Sequence, residues 1–522
     1  MLQPETLVPL SDAERHLFTQ LVPEDHFLRR LVQIVDFERF RPVLASAYCP
    51  DDGRPPLDPV FMLKLEVLAL HYRLSDRELM KQAQVNVAYR LFLGLSCQSP
   101  LPHHTSMTYF RDRVGAKRMQ EIFHVVLGQA RELGLLRNRL RLKDATHILA
   151  NIAVPSTIRL VAETRDALLA ALPPFAADRA DEETRRAEAI RLASDDLPDQ
   201  ERLVRRVAHL RAIVAWADEV PATAAFAAAE VARQEKLRAA LTLAHKVLAD
   251  RDDPKAGDKV LSVQDPDARC GKHGDFFDGY LLDIAMDADS ELITGVNVLP
   301  ANGDEGGDAA YLIAQEEQAQ GNDVEAVSID GAGYRGPVLR ELTAPDGLNL
   351  EVFTPPTERI PLPVFGPEQF ARSDDGKTLT CPAGQTTTQH ERNSNDTGVK
   401  FRFSKKQCGG CALREPCLAN PQAKSRSVIK NDYEAEYQAA QAQAQTPAYA
   451  KVRKEHPAIE RKLSELVRRH DIRHARYRGL PKVLRQGWLS ALVVNLKRLV
   501  RLLVTADADA PGTVRAELAM GS

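Results

Sequence analysis

The stretch LRLKDATHI, residues 140–148, decides the fold of this chain. Its apolar residues Leu140, Leu142 and Ile148 alternate with the positions between them, and Asp144 falls on the same face. A period of two residues indicates a β-strand. The stretch therefore predicts a strand that carries a carboxylate where an apolar side chain is expected.

Further strand and helix patterns follow along the chain. Strands are predicted at 279–287, 291–299, 324–330 and 348–353, and helices at 308–321 and 336–342. Asp330 ends the fourth of the five strands as an isolated acid behind an apolar run. Strands that alternate with helices in this way predict an α/β fold.

The length of 522 residues indicates several domains, because a domain usually contains roughly 100–200 residues. Short helical patterns fill the region before the first strand. A later region is rich in alanine and charge, with apolar residues at three- and four-residue steps, which indicates a helical hairpin or an antiparallel coiled pair. We predict a helical domain at 1–136, an α/β domain at 137–354 and 446–503, a helical insertion at 155–255 within it, an insertion with a cysteine cluster at 355–445, and a flexible tail at 504–522.

Composition and charge exclude several classes of protein. The chain is 44% hydrophobic and 27% charged, as expected for a globular protein, and its formal net charge is -3. No apolar run is long enough to span a bilayer, and the first residues lack the pattern of a secretory signal. Residues 451–501 nevertheless contain 15 Lys and Arg against four Asp and Glu. Such a basic, helical segment on an otherwise acidic chain indicates either a nucleic-acid surface or a solvated helix face.

Isolated carboxylates on two strands suggest a site for divalent cations. A buried carboxylate costs several kcal/mol unless it is paired or bound to a metal. A third acid, Glu460, follows Pro457, which suits the first turn of a helix. Mg²⁺ prefers oxygen ligands, and two such ions can hold both oxygens of a phosphoryl transfer. The alternative is that Asp144 and Asp330 form turns or helix caps and that Glu460 belongs to a solvated charge pattern.

Blocks of sequence between residues 22 and 498 resemble, in their order, the DDE transposases of bacterial insertion sequences. The blocks are VPEDHFLR at 22–29, GRP at 53–55 with Asp58-Pro59, LSDREL at 74–79, FLGL at 92–95, DATH at 144–147, DPDAR at 265–269 with Gly279-Tyr280, SIDGAGY at 328–334, HPAIERK at 456–462, RYRGL at 476–480 and NLKR at 495–498. No single block is specific, so the resemblance rests on their order.

This resemblance implies an RNase H-like mixed five-stranded sheet with strand order 3-2-1-4-5. Asp144, Asp330 and Glu460 are then the catalytic triad, and they bind two Mg²⁺ or Mn²⁺ ions. The implied transposase binds the terminal inverted repeats of its element through the N-terminal helices, cleaves DNA at the ends and joins the 3′-OH to target DNA. Its expected partners are double-stranded DNA and a second copy of the chain, or more, in the cytoplasm of a bacterium at the nucleoid.

Two positions depart from the family pattern. Val467 stands seven residues after Glu460, where related transposases often have Lys, and Arg468 is next to it. Asp283 stands where a His is often found. Three alternatives stay open: a non-catalytic DNA-binding protein of transposase origin, a zinc-dependent scaffold, and a nuclease that cuts DNA without joining it.

Four of the seven cysteines, Cys381, Cys408, Cys411 and Cys417, fall close together in the sequence. The spacing of Cys408 and Cys411 is that of a zinc knuckle, and four thiolates suit a tetrahedral zinc site. Free thiols and a redox or iron–sulfur role are the alternatives.

Basic and aromatic residues cluster just after Glu460. We predict that they contact DNA phosphates, and such contacts give affinity for DNA without recognising its base sequence. Tyr477 either stacks on a base or packs in the core, and His147 either touches the scissile phosphate or satisfies a buried hydrogen bond. The predicted DNA-binding residues are Arg468, Arg469, Arg473, Arg476, Tyr477, Arg478 and Lys482.

Overall fold

The computed structural model describes residues 7–49, 57–357, 364–420 and 422–509. The GRP block at 53–55 therefore lies outside the described residues. Seven helices form the N-terminal part: α1 Asp12–Leu21, α2 Phe27–Ile34, α3 Arg41–Ala45, α4 Pro59–His71, α5 Asp76–Val85, α6 Val87–Leu93 and α7 Thr105–Glu132. The side chain of Asp58 accepts hydrogen bonds from the first amides of α4, and this helix is buried along nearly its whole length.

The helix α7 contains two helical segments, 105–114 and 116–132. Gly115 lies between them with a φ of 66°, a left-handed conformation that glycine adopts at little cost. The backbone kinks there, and the two halves continue as one element.

A six-stranded sheet follows the N-terminal helices. Its strands are β1 Arg141–Leu149, β2 Arg269–His273, β3 Asp275–Asp287, β4 Ile293–Pro300, β5 Ala326–Ser328 and β6 Glu351–Phe353. β3 pairs antiparallel with β4 on one edge and with β1 on the other, whereas β1, β5 and β6 are parallel. The order of the five predicted strands is thus 3-2-1-4-5, as expected.

The count of five strands is wrong because β2 is a sixth. It pairs antiparallel with the first residues of β3, and Gly274 reverses the chain between them with a φ of 77°. The strand β2, RCGKH, is short and polar, so it lacks the alternation of apolar and polar residues that marks the other strands.

Helices cover both faces of this sheet. Helices α13 Asp308–Gln320 and α14 Gly336–Thr343 connect the strands after β4. Arg141 of β1 forms a fully buried ion pair with Glu316 of α13, with 2.6 Å between the charged atoms, so α13 covers the Arg141 face. Leu142 and Asp144 point to the opposite face, because side chains alternate along a strand.

Three C-terminal helices cover that opposite face: α18 Pro447–Glu455, α19 Pro457–His470 and α20 Leu480–Asp509. The helix α20 packs on β4 and on α2, α4 and α7, and the ring of its Trp488 lies 4.9 Å from that of Phe123 in α7. The N-terminal helices and this face of the sheet therefore share one hydrophobic core. The end of α20 extends into the predicted tail, whose residues after Asp509 lie outside the described part.

The insertion after β1 is larger than the predicted helical pair. It contains α8 Thr157–Leu169, α9 Pro173–Leu192, α10 Asp199–Ala217, α11 Ala224–Ala227 and α12 Val231–Asp252. The helical region is predicted to break near Pro173, and it does: α8 ends at Leu169 and Pro173 begins α9, where its missing N–H has no cost. The mutual packing of α8, α10 and α12 gives this insertion a core of its own.

The insertion with the cysteines consists of small sheets and short helices. Its elements are β7 Ala371–Arg372, β8 Leu379–Thr380, β9 Thr386–Thr387, β10 His390–Arg392, β11 Gly398–Arg402, α15 Lys405–Gly409, α16 Arg414–Cys417, β12 Ser427–Asn431 and α17 Glu434–Gln443. The six strands form two separate three-stranded sheets. The helix α17 packs back on the α/β domain, against α14 and β6. Within the described residues, no helix is long and apolar enough to cross a membrane.

Candidate active site

Asp144 lies in the middle of β1 on the face covered by α19. Its Oδ1 accepts a hydrogen bond of 2.8 Å from the amide of Ala145. Burial raises the pKa of this carboxyl from 3.8 to about 6, and the negative charge of Asp330 acts in the same direction. A carboxyl group whose pKa is raised by burial and by a second acid nearby is typical of a functional site.

Asp330 follows the strand next to β1. The last parallel pair of these strands joins Leu142 to Ser328, so Asp144 and Asp330 each lie two residues beyond that pair. The Asp330 carboxylate accepts a hydrogen bond of 3.0 Å from the amide of Ala332 and thereby starts a short turn. The two aspartates therefore lie at the same level of neighbouring strands, Asp144 within β1 and Asp330 just after the end of β5.

Glu460 lies in the first turn of α19, where Pro457 begins the helix. One turn earlier, His456 places its Nδ1 3.0 Å from Oγ of Ser328, at the end of β5. Arg453 donates a hydrogen bond of 3.2 Å to the carbonyl of Ile329 in the same strand end. These contacts fix the start of α19 beside the residue that precedes Asp330.

The His456 side chain is buried, and burial lowers its pKa from 6.5 to about 4, with the positive charge of Arg453 acting in the same direction. This histidine is therefore neutral at physiological pH, so it is suited to a hydrogen bond with Ser328 and not to proton transfer. Its role is to position the helix that carries Glu460.

A cavity of about 430 Å³ brings Asp144 and Glu460 together. The other lining residues are Ala145, Thr146, His273, Leu463, Ser464, Val467, Arg468 and Arg473. Asp330 is not among them, although its charge acts on the pKa of Asp144. In the parts of the chain that the structure describes, no three side chains of His, Cys, Asp or Glu are assembled to hold a metal ion. Both aspartates instead accept hydrogen bonds from nearby backbone amides.

His273 is a cavity residue that sequence reasoning missed. It ends β2, the strand that was not predicted, and its ring lies 5.9 Å from that of His147. His147 itself contacts the ring of Phe277 at 5.0 Å, and its Nδ1 is buried without a hydrogen-bond partner. Only the contact between a hairpin and β1 brings His273 here, so no spacing in the sequence could have revealed it.

The predicted DNA-binding residues separate into three groups. Arg468 and Arg473 line the cavity with Glu460, and Arg473 also donates a hydrogen bond of 2.7 Å to the carbonyl of His147. Arg476 and Tyr477 instead line a cavity of about 270 Å³ between the N-terminal helices and α20. The remaining three, Arg469, Arg478 and Lys482, are exposed, and Arg478 donates to the carbonyl of Asn151.

The departures from the family pattern have structural uses. Val467 lines the cavity, and the neighbouring Arg468 supplies a positive charge there. Asp283 is fully buried on β3, and Nζ of Lys143 lies 2.9 Å from its Oδ2. This ion pair belongs to the sheet face covered by α13, so Asp283 lies across the sheet from Asp144.

The four clustered cysteines line one small cavity of about 20 Å³, together with Phe370 and Phe403. All four are free thiols of intermediate exposure. Burial raises the pKa of Cys417, Arg426 opposes this effect, and the other three thiols act in the same direction as burial. The fold therefore brings the thiol of Cys381 to those of the other three, which follow it by 27 to 36 residues.

Comparison with known protein families gives two matches. A family model described as a transposase domain matches residues 16–113, which extend from α1 into α7. A model described as a transposase DDE domain matches residues 380–500, which include the four cysteines, Glu460 and the basic segment. Asp144 and Asp330 lie outside both matches, and no solved structure matches the chain. The matches place a transposase domain toward one end of the chain and a transposase DDE domain toward the other, which supports an insertion-sequence DDE transposase.

Proposed function

We propose that the chain cleaves DNA at the ends of its insertion sequence and joins the freed 3′-OH to target DNA, with an RNase H-like core as the catalytic domain. One observation carries this proposal. Asp144 and Glu460, on β1 and α19, line the same cavity, while Asp330 lies at the level of Asp144 after the neighbouring parallel strand. The strand order 3-2-1-4-5 supports the RNase H-like assignment.

The three acids have the chemistry of a site for two Mg²⁺ or Mn²⁺ ions. Their carboxylate oxygens are the donors that hard divalent cations prefer. The raised pKa of Asp144 indicates a negative charge that lacks sufficient compensation from the protein. When bound, such cations would stabilise the attacking and leaving oxygens of an in-line phosphoryl transfer. Small rotations of Asp144 and Asp330 away from their backbone amides would free these oxygens for binding.

The neighbouring side chains would hold the DNA. Arg468 and Arg473 line the same cavity, so their guanidinium groups are placed to bind the phosphates on either side of the cleaved bond. His456 and Arg453 keep α19 against the end of β5, so Glu460 stays near the two aspartates. The water, or later the 3′-OH, would attack the phosphate that these arginines position.

The N-terminal helices are proposed to bind the terminal inverted repeats. They share a core with α20, whose residues 480–501 belong to the basic segment. Binding of an end by these helices would therefore place the adjoining DNA over the basic residues and the cavity. Two ends must meet for transposition, so the proposed active form is a homodimer or a larger assembly on double-stranded DNA.

We also propose one structural Zn²⁺ ion in the insertion with the cysteines. Cys381, Cys408, Cys411 and Cys417 line a single cavity, and the hydrophobic cluster beside it is small, with six buried residues among those that the structure describes. Four thiolates would form a closed tetrahedral site, which contributes folding energy to a domain of this size. Bonding would require their thiol groups to lose protons and draw closer together.

A cleavage and joining assay tests the proposed reaction. The substrate is a duplex carrying the repeat that flanks the coding region, incubated with Mg²⁺ and a target plasmid. We expect nicking and joined products from the wild type, and neither from Asp330→Asn, which still binds the duplex. The matched control is Asp323→Asn, an exposed acid before β5 that we expect to be fully active. Equal cleavage by the Asp330→Asn variant would reject the catalytic assignment, and binding without cleavage by the wild type would favour a non-catalytic DNA-binding protein.

A further inference from the structure

The strands β2 and β3 form a two-stranded ribbon, residues 269–279, that continues beyond the end of β1. The last residue of β1, Leu149, pairs with Gly279, the amide of Ala150 donates a last hydrogen bond to the carbonyl of Asp278, and residues 275–279 of β3 pair with β2. Gly274 makes the tight reversal at the tip. The ribbon thus extends from the edge of the candidate active site.

The two faces of the ribbon differ in their surroundings. Residues paired across an antiparallel ribbon share a face, so His273 and Phe277 lie on one face and Lys272 and Phe276 on the other. The first face contacts His147 through both rings, and His273 lines the cavity with Asp144. The second face carries the aromatic side chain of Phe276, which is exposed to solvent.

Phe276 is 77% exposed, more than any other large apolar side chain in the described part of the chain. Lys272 pairs with it in register, and its Nζ lies 5.6 Å from the ring centroid. This contact restrains the ring and places a positive charge beside it. The ring therefore presents an exposed aromatic face next to a cation, on the side of the ribbon opposite to His273, which lines the cavity together with Arg468 and Arg473.

We propose that Phe276 stacks on an unpaired nucleobase of the DNA beside the cleavage point, while Lys272 contacts the neighbouring phosphate. This inference rests on the proposed function. An aromatic ring next to a cation is the arrangement that binds single-stranded nucleic acid, since every base offers a face for stacking. A protein partner is a poorer fit, because a stable protein interface buries about 800 Å² on each side and the residues around Phe276 at the tip are Gly274, Asp275 and Lys272.

Fluorescence of 2-aminopurine tests this inference without a need for catalysis. The base analogue is placed at unpaired positions at the end of a forked duplex, and the full-length protein is added in the presence of EDTA. Stacking quenches the fluorescence. The variants are Phe276→Ala, Phe276→Trp and, as a matched exposed aromatic on the far side of the sheet, Tyr311→Ala in α13.

We expect the wild type, Phe276→Trp and Tyr311→Ala to quench the fluorescence alike. The Phe276→Ala variant should need about tenfold more protein for the same quenching of the forked duplex, with its affinity for a blunt duplex changed less than twofold. Equal quenching by the Phe276→Ala variant, or no quenching by the wild type, would overturn the inference. Neither result would touch the proposed function, which Mg²⁺-dependent cleavage by the wild type decides separately.

Discussion

Replacing Asp144 by Asn is expected to stabilise the metal-free protein, although a buried polar substitution usually destabilises. The pKa of Asp144 is raised from 3.8 to about 6, chiefly by burial, so ionisation of this carboxyl disfavours the folded state. A difference of about 2 pH units corresponds to about 3 kcal/mol at most, and partial exposure of the side chain reduces this to about 1–2 kcal/mol. Asn keeps an oxygen that can accept the 2.8 Å hydrogen bond from the amide of Ala145.

The pH dependence of this effect has a defined sign. Above pH 6 the folded protein holds the ionised carboxylate, and the full destabilisation is present. As the pH falls from 6 toward 3.8 the folded state takes up a proton before the unfolded state does, so the destabilisation disappears. The Asp144→Asn variant should therefore gain stability at pH 8 and gain almost nothing at pH 4.

Urea or thermal unfolding in EDTA at the two pH values measures this difference. The matched control is Asp289→Asn, because a hydrogen bond from Arg139 lowers the pKa of Asp289 and its loss should lower stability at pH 8. If Asp144→Asn lowered the unfolding midpoint at pH 8, or raised it equally at both pH values, the reasoning about this buried charge would be wrong.

Three further predictions concern the triad and the cysteines. Glu460→Gln should abolish Mg²⁺-dependent cleavage with little change in stability, since Glu460 is exposed. Glu465→Gln should instead keep cleaving but lose about 1 kcal/mol of stability, because it removes the 2.6 Å ion pair with Lys497. Cleavage assays and unfolding midpoints would show the opposite pattern if Glu465 were the catalytic acid. Because Asp144 must lose its proton to bind a cation, the affinity for Mn²⁺ should fall up to about tenfold per pH unit below pH 6 in calorimetric titrations, and a flat profile between pH 5 and 7 would contradict this role. The purified wild type should contain one Zn²⁺ per chain by elemental analysis, and Cys411→Ser should lose it together with thermal stability; a metal-free wild type of equal stability would leave free thiols as the correct interpretation.

The sequence predicted those parts of the fold that have a strong local pattern. The strand around Asp144 and the helix at 308–321 were predicted nearly to the residue, because the spacing of apolar residues is a local signal in both. The strand order came from resemblance to a family and agrees with the observed pairing. The polar strand β2 has no such signal, and it was missed.

The candidate site shows the same division. The sequence indicated Asp144 and Glu460, and the fold brings them to one cavity. It could not indicate His273, which reaches the cavity only through the pairing of β2 with β3. The sequence also could not show that Arg473 lines this cavity whereas Tyr477 lies at the contact with the N-terminal helices. Both residues belong to one basic stretch, and the chain changes direction within it after α19.

Diffraction from crystals of the protein with end DNA and Mn²⁺ tests the central claim most directly. We predict anomalous difference peaks for two ions coordinated by carboxylate oxygens of Asp144, Asp330 and Glu460. Peaks confined to other residues, or an empty site beside a bound scissile phosphate, would contradict the claim that these three acids hold the cations of DNA cleavage.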